Sequence, residues 1–337
     1  MNKIQVLDCT LRDGGYINDW RFGDKNSQEI VRLVSSSGVD YAELAFIRLC
    51  EYEKDKMEFS DMSQITRLFR PSDYKLSAMV EIGYGYPVTR FPERSTDTVD
   101  LVRIVVWKRM IRETFEYAKA LIAKGYEVGI QATRIEQYNL DEFKEFVELF
   151  SQVNPKGIYI VDTFGLLTKE RLLEYATVAD KYMADGICIG YHAHNNMQQA
   201  FSNMVAFTEY PWNHPLMIDA SVMGIGRGAG NLCLELFEKY LNENFSGKYH
   251  EHYLYEAAEK YIDPIYKQKT WGYSIPYLLS AIYGRNPTYV DYLIEKGLTF
   301  SEMNKLFSEM KDRNVGIVYD LKMCDGLLNE LLFNKLV

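Results

Sequence analysis

The chain has 337 residues, 47% of them apolar and 14% aromatic, enough to bury a large α/β core and carry an appendage. Lys and Arg total 38 against 47 Asp and Glu, a formal charge of −9, and no basic run tracks a phosphate backbone, which argues against a nucleic-acid partner. No apolar stretch is long enough to span a bilayer, no basic leader precedes Ile4, and the five scattered cysteines form no CxxC pair, so the expectation is reduced, buried thiols in a cytoplasmic protein away from membranes.

In chain order, Ile4–Leu7 reads as a strand, followed by Asp8-Cys9-Thr10-Leu11-Arg12-Asp13-Gly14-Gly15-Tyr16 as a polar, glycine-containing loop. A helix is expected from about Asp24 to Ser37, closed by Gly38. Tyr41–Phe46 reads as a strand and Met62–Phe69 as a helix. Strands then fall at Lys75–Ile82 and Leu101–Val106, with a helix at Met110–Ala123. Three more pairs follow: Val128–Ala132 with Asp141–Phe150, Gly157–Val161 with Lys169–Tyr182, and Gly186–Tyr191 with a helix from about Asn196. An eighth pairs Leu216–Ala220 with Asn231–Leu241. Eight strand–helix alternations predict a (β/α)8 TIM barrel over residues 1–245, whereas an open doubly wound sheet more often stops at five or six strands. From 246 to 337 the alternation ends, tyrosines become dense, and helical spacing predicts a C-terminal helical domain that packs on the barrel or on a sister subunit of a homo-oligomer.

Barrel enzymes gather their chemistry where the strands end, so polar residues at those ends can be pooled whatever their separation in sequence. They are Arg12 and Asp13, Glu43, Gln131, Asp162 and Thr163, His192 and His194, and the turn Gly224-Ile225-Gly226-Arg227-Gly228-Ala229-Gly230-Asn231. His192 and His194 lie at i and i+2 on a strand and point to one side, so both can reach one ion. With Asp13 they form a mixed N/O set suited to manganese, magnesium, zinc or cobalt. Bland readings accompany each residue: Asp13 capping a turn, Glu43 pairing with Arg12 or Arg48, the glycines merely letting a helix approach. His214, His250 and His252 are expected at the surface.

Thr10-Leu11-Arg12-Asp13-Gly14, His192-Ala193-His194-Asn195 and Gly228-Ala229-Gly230-Asn231, in that order, resemble the DRE-TIM metallolyases, the HMGL-like family that includes 4-hydroxy-2-oxovalerate aldolases, hydroxymethylglutaryl-CoA lyases and 2-isopropylmalate synthases. The resemblance implies a divalent metal held by Asp13, His192 and His194, with Asn231 ligating or orienting. It also implies Arg12 at an enolate oxygen and Glu43 holding Arg12 and a metal-bound water. Gln131, Asp162 and Thr163 would face the substrate. The aldolases look nearest, which implies a lyase cleaving a 4-hydroxy-2-oxo acid to pyruvate and an aldehyde, with an aldehyde dehydrogenase as a partner. Where those aldolases carry an acid/base histidine this chain has Tyr16, whose phenol starts near pKa 10; Tyr273 or Tyr277 would be substitutes. Alternatives are a Claisen-type acyltransferase joining acetyl-CoA to a 2-oxo acid, a Schiff-base chemistry at Lys108, and a non-catalytic barrel that docks a partner.

Overall fold

Eight parallel strands close on themselves: β1 (Ile4–Asp8), β2 (Tyr41–Ile47), β3 (Lys75–Glu81), β4 (Leu101–Val106), β5 (Glu127–Thr133), β6 (Gly157–Asp162), β7 (Cys188–Ala193) and β8 (Leu216–Ala220). β1 pairs with β8, in register Ile4↔Leu216 to Asp8↔Ala220, and with β2 through Leu7↔Tyr41, which makes the sheet the expected TIM barrel and not an open one. This computed structural model describes residues 3–69 and 74–333, so residues 1–2 and 334–337 at the ends of the two expected domains fall outside it. Between Glu43 and Phe46 the β2–β3 register slips by one residue, a bulge that bends β2 near the mouth of the barrel.

Around the strands lie α1 (Thr10–Asn18), α2 (Asp24–Ser37), α3 (Met62–Leu68), α4 (Ile111–Ala123), α5 (Leu140–Ser151), α6 (Lys169–Tyr182), α7 (Ala200–Glu209) and α8 (Leu234–Asn244). The stretch expected as a loop after β1 is the helix α1. Its two glycines read as breakers, but Gly15 is there for contact: a Cβ on it would sit 2.0 Å from Cδ1 of Trp20, whose indole donates to the Arg12 carbonyl at 2.8 Å. The third unit departs from a strict alternation. Only the single turns Ile82–Tyr84 and Val88–Arg90 separate β3 from β4, in a segment punctuated by Pro87 and Pro92. Two helices start later than expected. The first, α7, begins at Ala200 with Gln199 at its N-cap, the Ala200 N–H donating to Asn195 Oδ1 at 3.2 Å, and α8 begins at Leu234, leaving Asn231 in the preceding turn.

One continuous apolar core joins strands and helices and runs on through Leu254 of α9 (His252–Ala257), Ile262 just before α10 (Asp263–Tyr266), and Trp271, well past residue 245. A second core, built on Tyr277, Tyr289, Leu293, Leu306, Phe307 and Met310, unites α11 (Ile275–Ile282), α12 (Thr288–Glu295), α13 (Phe300–Asp312) and α14 (Leu321–Phe333). Ala229, from the glycine-rich turn after β8, is part of that second core. No helix among the described residues is long and apolar enough to cross a membrane. Cys9, Cys188 and Cys324 are buried free thiols, while Cys50 and Cys233 are partly buried. His214, expected at the surface, is buried with Nδ1 at 3.0 Å from the Ile187 carbonyl.

Glu238 on α8 is fully buried, and burial pushes its carboxyl up to about 8. The contacts agree with a neutral acid: Ser37 Oγ lies 2.6 Å from Glu238 Oε1 and 2.7 Å from the Val34 carbonyl, and its single proton serves only one of them. Because the folded pKa lies above the unfolded one, the unfolded chain releases this proton first. The contribution is full below the unfolded pKa and is lost as pH rises toward 8. Glu238→Gln keeps a hydrogen-bonding group without the titration, so urea unfolding at pH 5 and pH 8 is expected to show a smaller fall in stability than in wild type. An equal fall in both proteins would assign the pH dependence elsewhere.

Candidate functional site

Arg12 and Asp13 stand in the first turn of α1, directly after β1, while His192 lies in β7 and His194 one residue beyond it. Asp13, His192 and His194 are all buried, and each offers a ligand atom within 4.8 Å of the others. The two rings have centroids 5.0 Å apart and planes at 85°. His192 Nδ1 is 2.9 Å from Asp219 Oδ2 and His194 Nδ1 is 3.3 Å from the Gly230 carbonyl, which leaves each Nε2 for an ion. Burial is the main force bringing His194 down to about 3, so its imidazole is neutral and its lone pair available. Burial alone would raise the Asp13 carboxyl; Arg12, the two imidazoles and Asn231 overcome it and hold it well below the usual range. Asn231 donates to Asp13 Oδ2 at 2.6 Å, and its own Oδ1 is a buried acceptor with no partner among the described residues. One carboxylate, two imidazoles and an unsatisfied amide oxygen fit a divalent cation.

Behind this cluster runs a buried ionic network of which sequence reasoning anticipated only the Arg12–Glu43 pair. Arg103, in the middle of β4, donates to Glu43 Oε2 at 2.9 Å, to Gln131 Oε1 at 3.0 Å, and to Asp219 Oδ2. Glu43 Oε2 also accepts from Arg12 Nε at 2.7 Å, and Arg12 Nη1 in turn reaches Asp13. Arg48, the other partner considered for Glu43, instead bonds Glu58 at 2.6 Å. Both strands look purely apolar at a glance, yet a charge inside each, Arg103 in Leu101–Val106 and Asp219 in Leu216–Ala220, was the available signal.

The cluster lies on the wall of a cavity of about 480 Å³ shared by Arg12, Asp13, Tyr16, Gln131, Thr163, His192 and His194. Gln131 reaches it with an Nε2 that has no partner among the described residues, and Thr163 Oγ1 accepts from Arg134 N at 2.8 Å. Other expected residues lie elsewhere. Asp162 turns away from the cavity lining, accepting from Leu166 N at 2.8 Å and Leu167 N at 3.1 Å, so it shapes the loop after β6 instead of meeting substrate. Glu43 sits behind Arg12 and does not line the cavity either. Tyr16 lines it, but burial pushes its phenol up against the opposing charges of Arg227 and Arg48, contrary to what a base at neutral pH needs. Tyr273 is exposed and Tyr277 is tied by its hydroxyl to Asp291 at 2.9 Å, so neither stands in for the missing histidine. Lys108 is at the rim, bound to Glu142 and the Gln137 carbonyl at 2.7 Å each, a poor Schiff-base nucleophile. Also on the cavity wall are Glu81, Trp107 and Arg134, which sequence reasoning gave no role, Arg227, read only as a member of the glycine-rich turn, and Val318, which the C-terminal helical region contributes.

The profile of the family described as HMGL-like matches residues 3–253. The chain is 25% identical over 238 residues to an oxaloacetate decarboxylase of Mycobacterium tuberculosis, covering 68% of this chain and 67% of the relative. It is 25% identical over 273 residues to a 4-hydroxy-2-oxovalerate aldolase of Geobacillus genomosp. 3, covering 78% and 77%. Among solved structures, the N-terminal domain of a protein described as an aldolase from Bacteroides vulgatus superposes with a TM-score of 0.71 at 24% identity, over 86% of this chain and 96% of that one.

Removing Arg103 would leave Glu43 and Asp219 as buried charges short of a partner. Arg103→Leu is therefore expected to cost roughly 3–5 kcal/mol in urea unfolding. A loss below about 1 kcal/mol would show that the guanidinium is not what offsets these carboxylates.

Proposed function

The chain belongs to the HMGL-like family, the DRE-TIM metallolyases, and from that premise we propose that it is a divalent-metal-dependent aldolase cleaving a 4-hydroxy-2-oxo acid to pyruvate and an aldehyde, or running the reverse condensation. The observation that carries this reading is the Asp13–His192–His194 cluster opening onto the same cavity as the Arg12 guanidinium. Manganese and magnesium suit these ligands, and either ion supplies fixed positive charge to the oxygens of a 2-oxo acid.

Breaking the C3–C4 bond moves an electron pair toward the C2 carbonyl, so negative charge grows on its oxygen. Arg12 is held beside that position by Glu43 on one side and Asp13 on the other, which fixes the direction of its remaining donors before substrate arrives. Gln131, anchored through Oε1 by Arg103, presents its free amide donors to the substrate carboxylate or carbonyl. The C4 hydroxyl must lose a proton. Tyr16 is neutral at physiological pH and hydrogen-bonds that hydroxyl. Glu81, bonded by Trp107 Nε1 at 2.8 Å and pushed up mainly by burial, is the cavity carboxylate suited to take the proton. The similarity to an oxaloacetate decarboxylase fits the same electron flow, because loss of CO2 from oxaloacetate also leaves pyruvate with charge on its C2 oxygen.

The test is pyruvate release from a panel of 4-hydroxy-2-oxo acids and oxaloacetate, with chelated protein and with manganese or magnesium restored. Release from a 4-hydroxy-2-oxo acid only when metal is present is expected; turnover of oxaloacetate alone would make the protein a decarboxylase, and metal-independent release would remove the premise. His192→Ala is expected to lose the bound metal, whereas Arg12→Ala keeps it and loses most turnover. An Arg12→Ala rate within a few-fold of wild type would refute the enolate-stabilising role. Glu81→Gln is expected to lower kcat by about 10²–10⁴ with little change in pyruvate affinity. Its pH–rate profile should lose the limb on which rate rises with pH, since Glu81 must be ionised to accept the proton; retention of that limb would assign the base elsewhere.

A further inference from the structure

Five cationic side chains reach the cavity, and two of them are spoken for. Arg12 is paired with Glu43 and Asp13, and Lys108 with Glu142, while Arg109 is exposed and lies over Trp107, its Cζ 4.1 Å from the ring centroid. Arg134 and Arg227 are different: both are half-buried on the cavity wall, and neither forms an ion pair among the described residues. Arg134 Nη2 makes one neutral contact, 3.3 Å to the Ile317 carbonyl, and Arg227 Nη2 one, to Asn286 Oδ1; Arg227 Nε is buried with no partner among the described residues. Among the described residues, the only carboxylate on the wall besides Asp13 is Glu81. Two partly desolvated guanidiniums near one another repel, and burial together with Arg227 pulls the pKa of Arg134 down. Arg134 is also held in the left-handed region, φ 54° and ψ 55°, where a side chain other than glycine is strained; its backbone N–H is tied to Thr163 Oγ1. Such an arrangement is unfavourable in the free protein and is relieved by an anion.

Resting on the aldolase reading for the same cavity, we infer that the substrate carries a second anionic group at the end remote from its 2-oxo acid head, a carboxylate or a phosphate monoester, and that Arg134 and Arg227 bind it. Arg227 stands between the two ends. It lies with its Cζ 5.3 Å from the ring centroid of Tyr16, and its charge is felt by both His194 and Arg134. A simple alkyl aldehyde would leave both guanidiniums uncompensated; an acidic aldehyde would not. The loops that steady the pair come from the C-terminal helical region, Asn286 from between α11 and α12 and Ile317 from between α13 and α14.

Chain-matched ligands separate this inference from the reaction itself. Calorimetric titration of the manganese- or magnesium-loaded protein with 2-oxohexanoate and with 2-oxoadipate compares one head group with and without a terminal carboxylate. A 2-oxo acid of similar length ending in a phosphate monoester forms the third arm. The dianions are expected to bind about tenfold or more tighter than the monoanion, and raising the salt concentration is expected to shrink that ratio; whichever dianion binds more tightly identifies the terminal group. In Arg134→Gln and Arg227→Gln the ratio falls toward one, and in Arg134→Lys part of it returns. Equal binding of monoanion and dianions by wild type would overturn the inference and assign the two arginines to the 2-oxo acid head. A ratio that persists in both Gln variants, or that does not respond to salt, would overturn it as well. Exchange of the pyruvate methyl protons with deuterium in wild type tests the aldolase reading separately: its absence would count against that chemistry while leaving the binding ratio interpretable.

Discussion

The guanidinium of Arg103 is the hub of the molecule. It has no exposure to water, so its desolvation is offset only by what surrounds it: Glu43, Asp219 and Gln131 in the plane of its hydrogen bonds, and the face of Tyr159 at 4.5 Å from Cζ. A lysine could satisfy one of these partners, whereas the planar fork reaches three strands at once. From Asp219 the constraint passes to His192, and from Glu43 to Arg12 and Asp13. Two of the three metal-ligand candidates thus take their orientation from a side chain that touches neither of them. Space for the hub comes from glycine: a Cβ on Gly129 would come within 3.1 Å of Arg103 Cγ, and one on Gly190 within 2.3 Å of the Tyr159 ring.

This arrangement sets the charge of the site before any ligand binds. Two guanidiniums, Arg12 and Arg103, stand against three carboxylates, Asp13, Glu43 and Asp219, with His194 neutral. A divalent cation held by Asp13, His192 and His194 would add positive charge beside Arg12, the sign that the carboxylate and developing enolate of the proposed substrate require. Electrostatic preorganisation and the folded core are here the same set of contacts.

Much of this was readable in the chain. Period-two apolar runs separated by helical periodicity mark eight strands, and the barrel topology then brings Asp13, His192 and His194 together from 180 residues apart, because strand ends in a barrel converge whatever their sequence distance. What escaped reading was local competition decided by packing. Two adjacent glycines signal a loop, yet α1 keeps them because Trp20 fills the space beside Gly15. Asp162 carries the right chemistry at the right strand end, but backbone N–H groups of the following loop claim its carboxylate. Arg103 and Asp219 were hidden for the opposite reason: a lone charge in an apolar strand reads as an exception until its complement, on a strand more than 100 residues away, is placed beside it.

The helical region after the barrel contributes nothing to the cluster of Asp13, His192 and His194, yet it reaches into the same cavity with Val318 and steadies Arg134 and Arg227 from behind. Its own core is largely separate, meeting the barrel's glycine-rich turn at Ala229. In the proposed reading both arginines belong to barrel loops, while the contacts that steady them come from a separately packed segment. Sequence drift in the loops around Asn286 and Ile317 can retune which molecules are accepted without disturbing the strands. One barrel can in this way be handed to new metabolites by remodelling its annex.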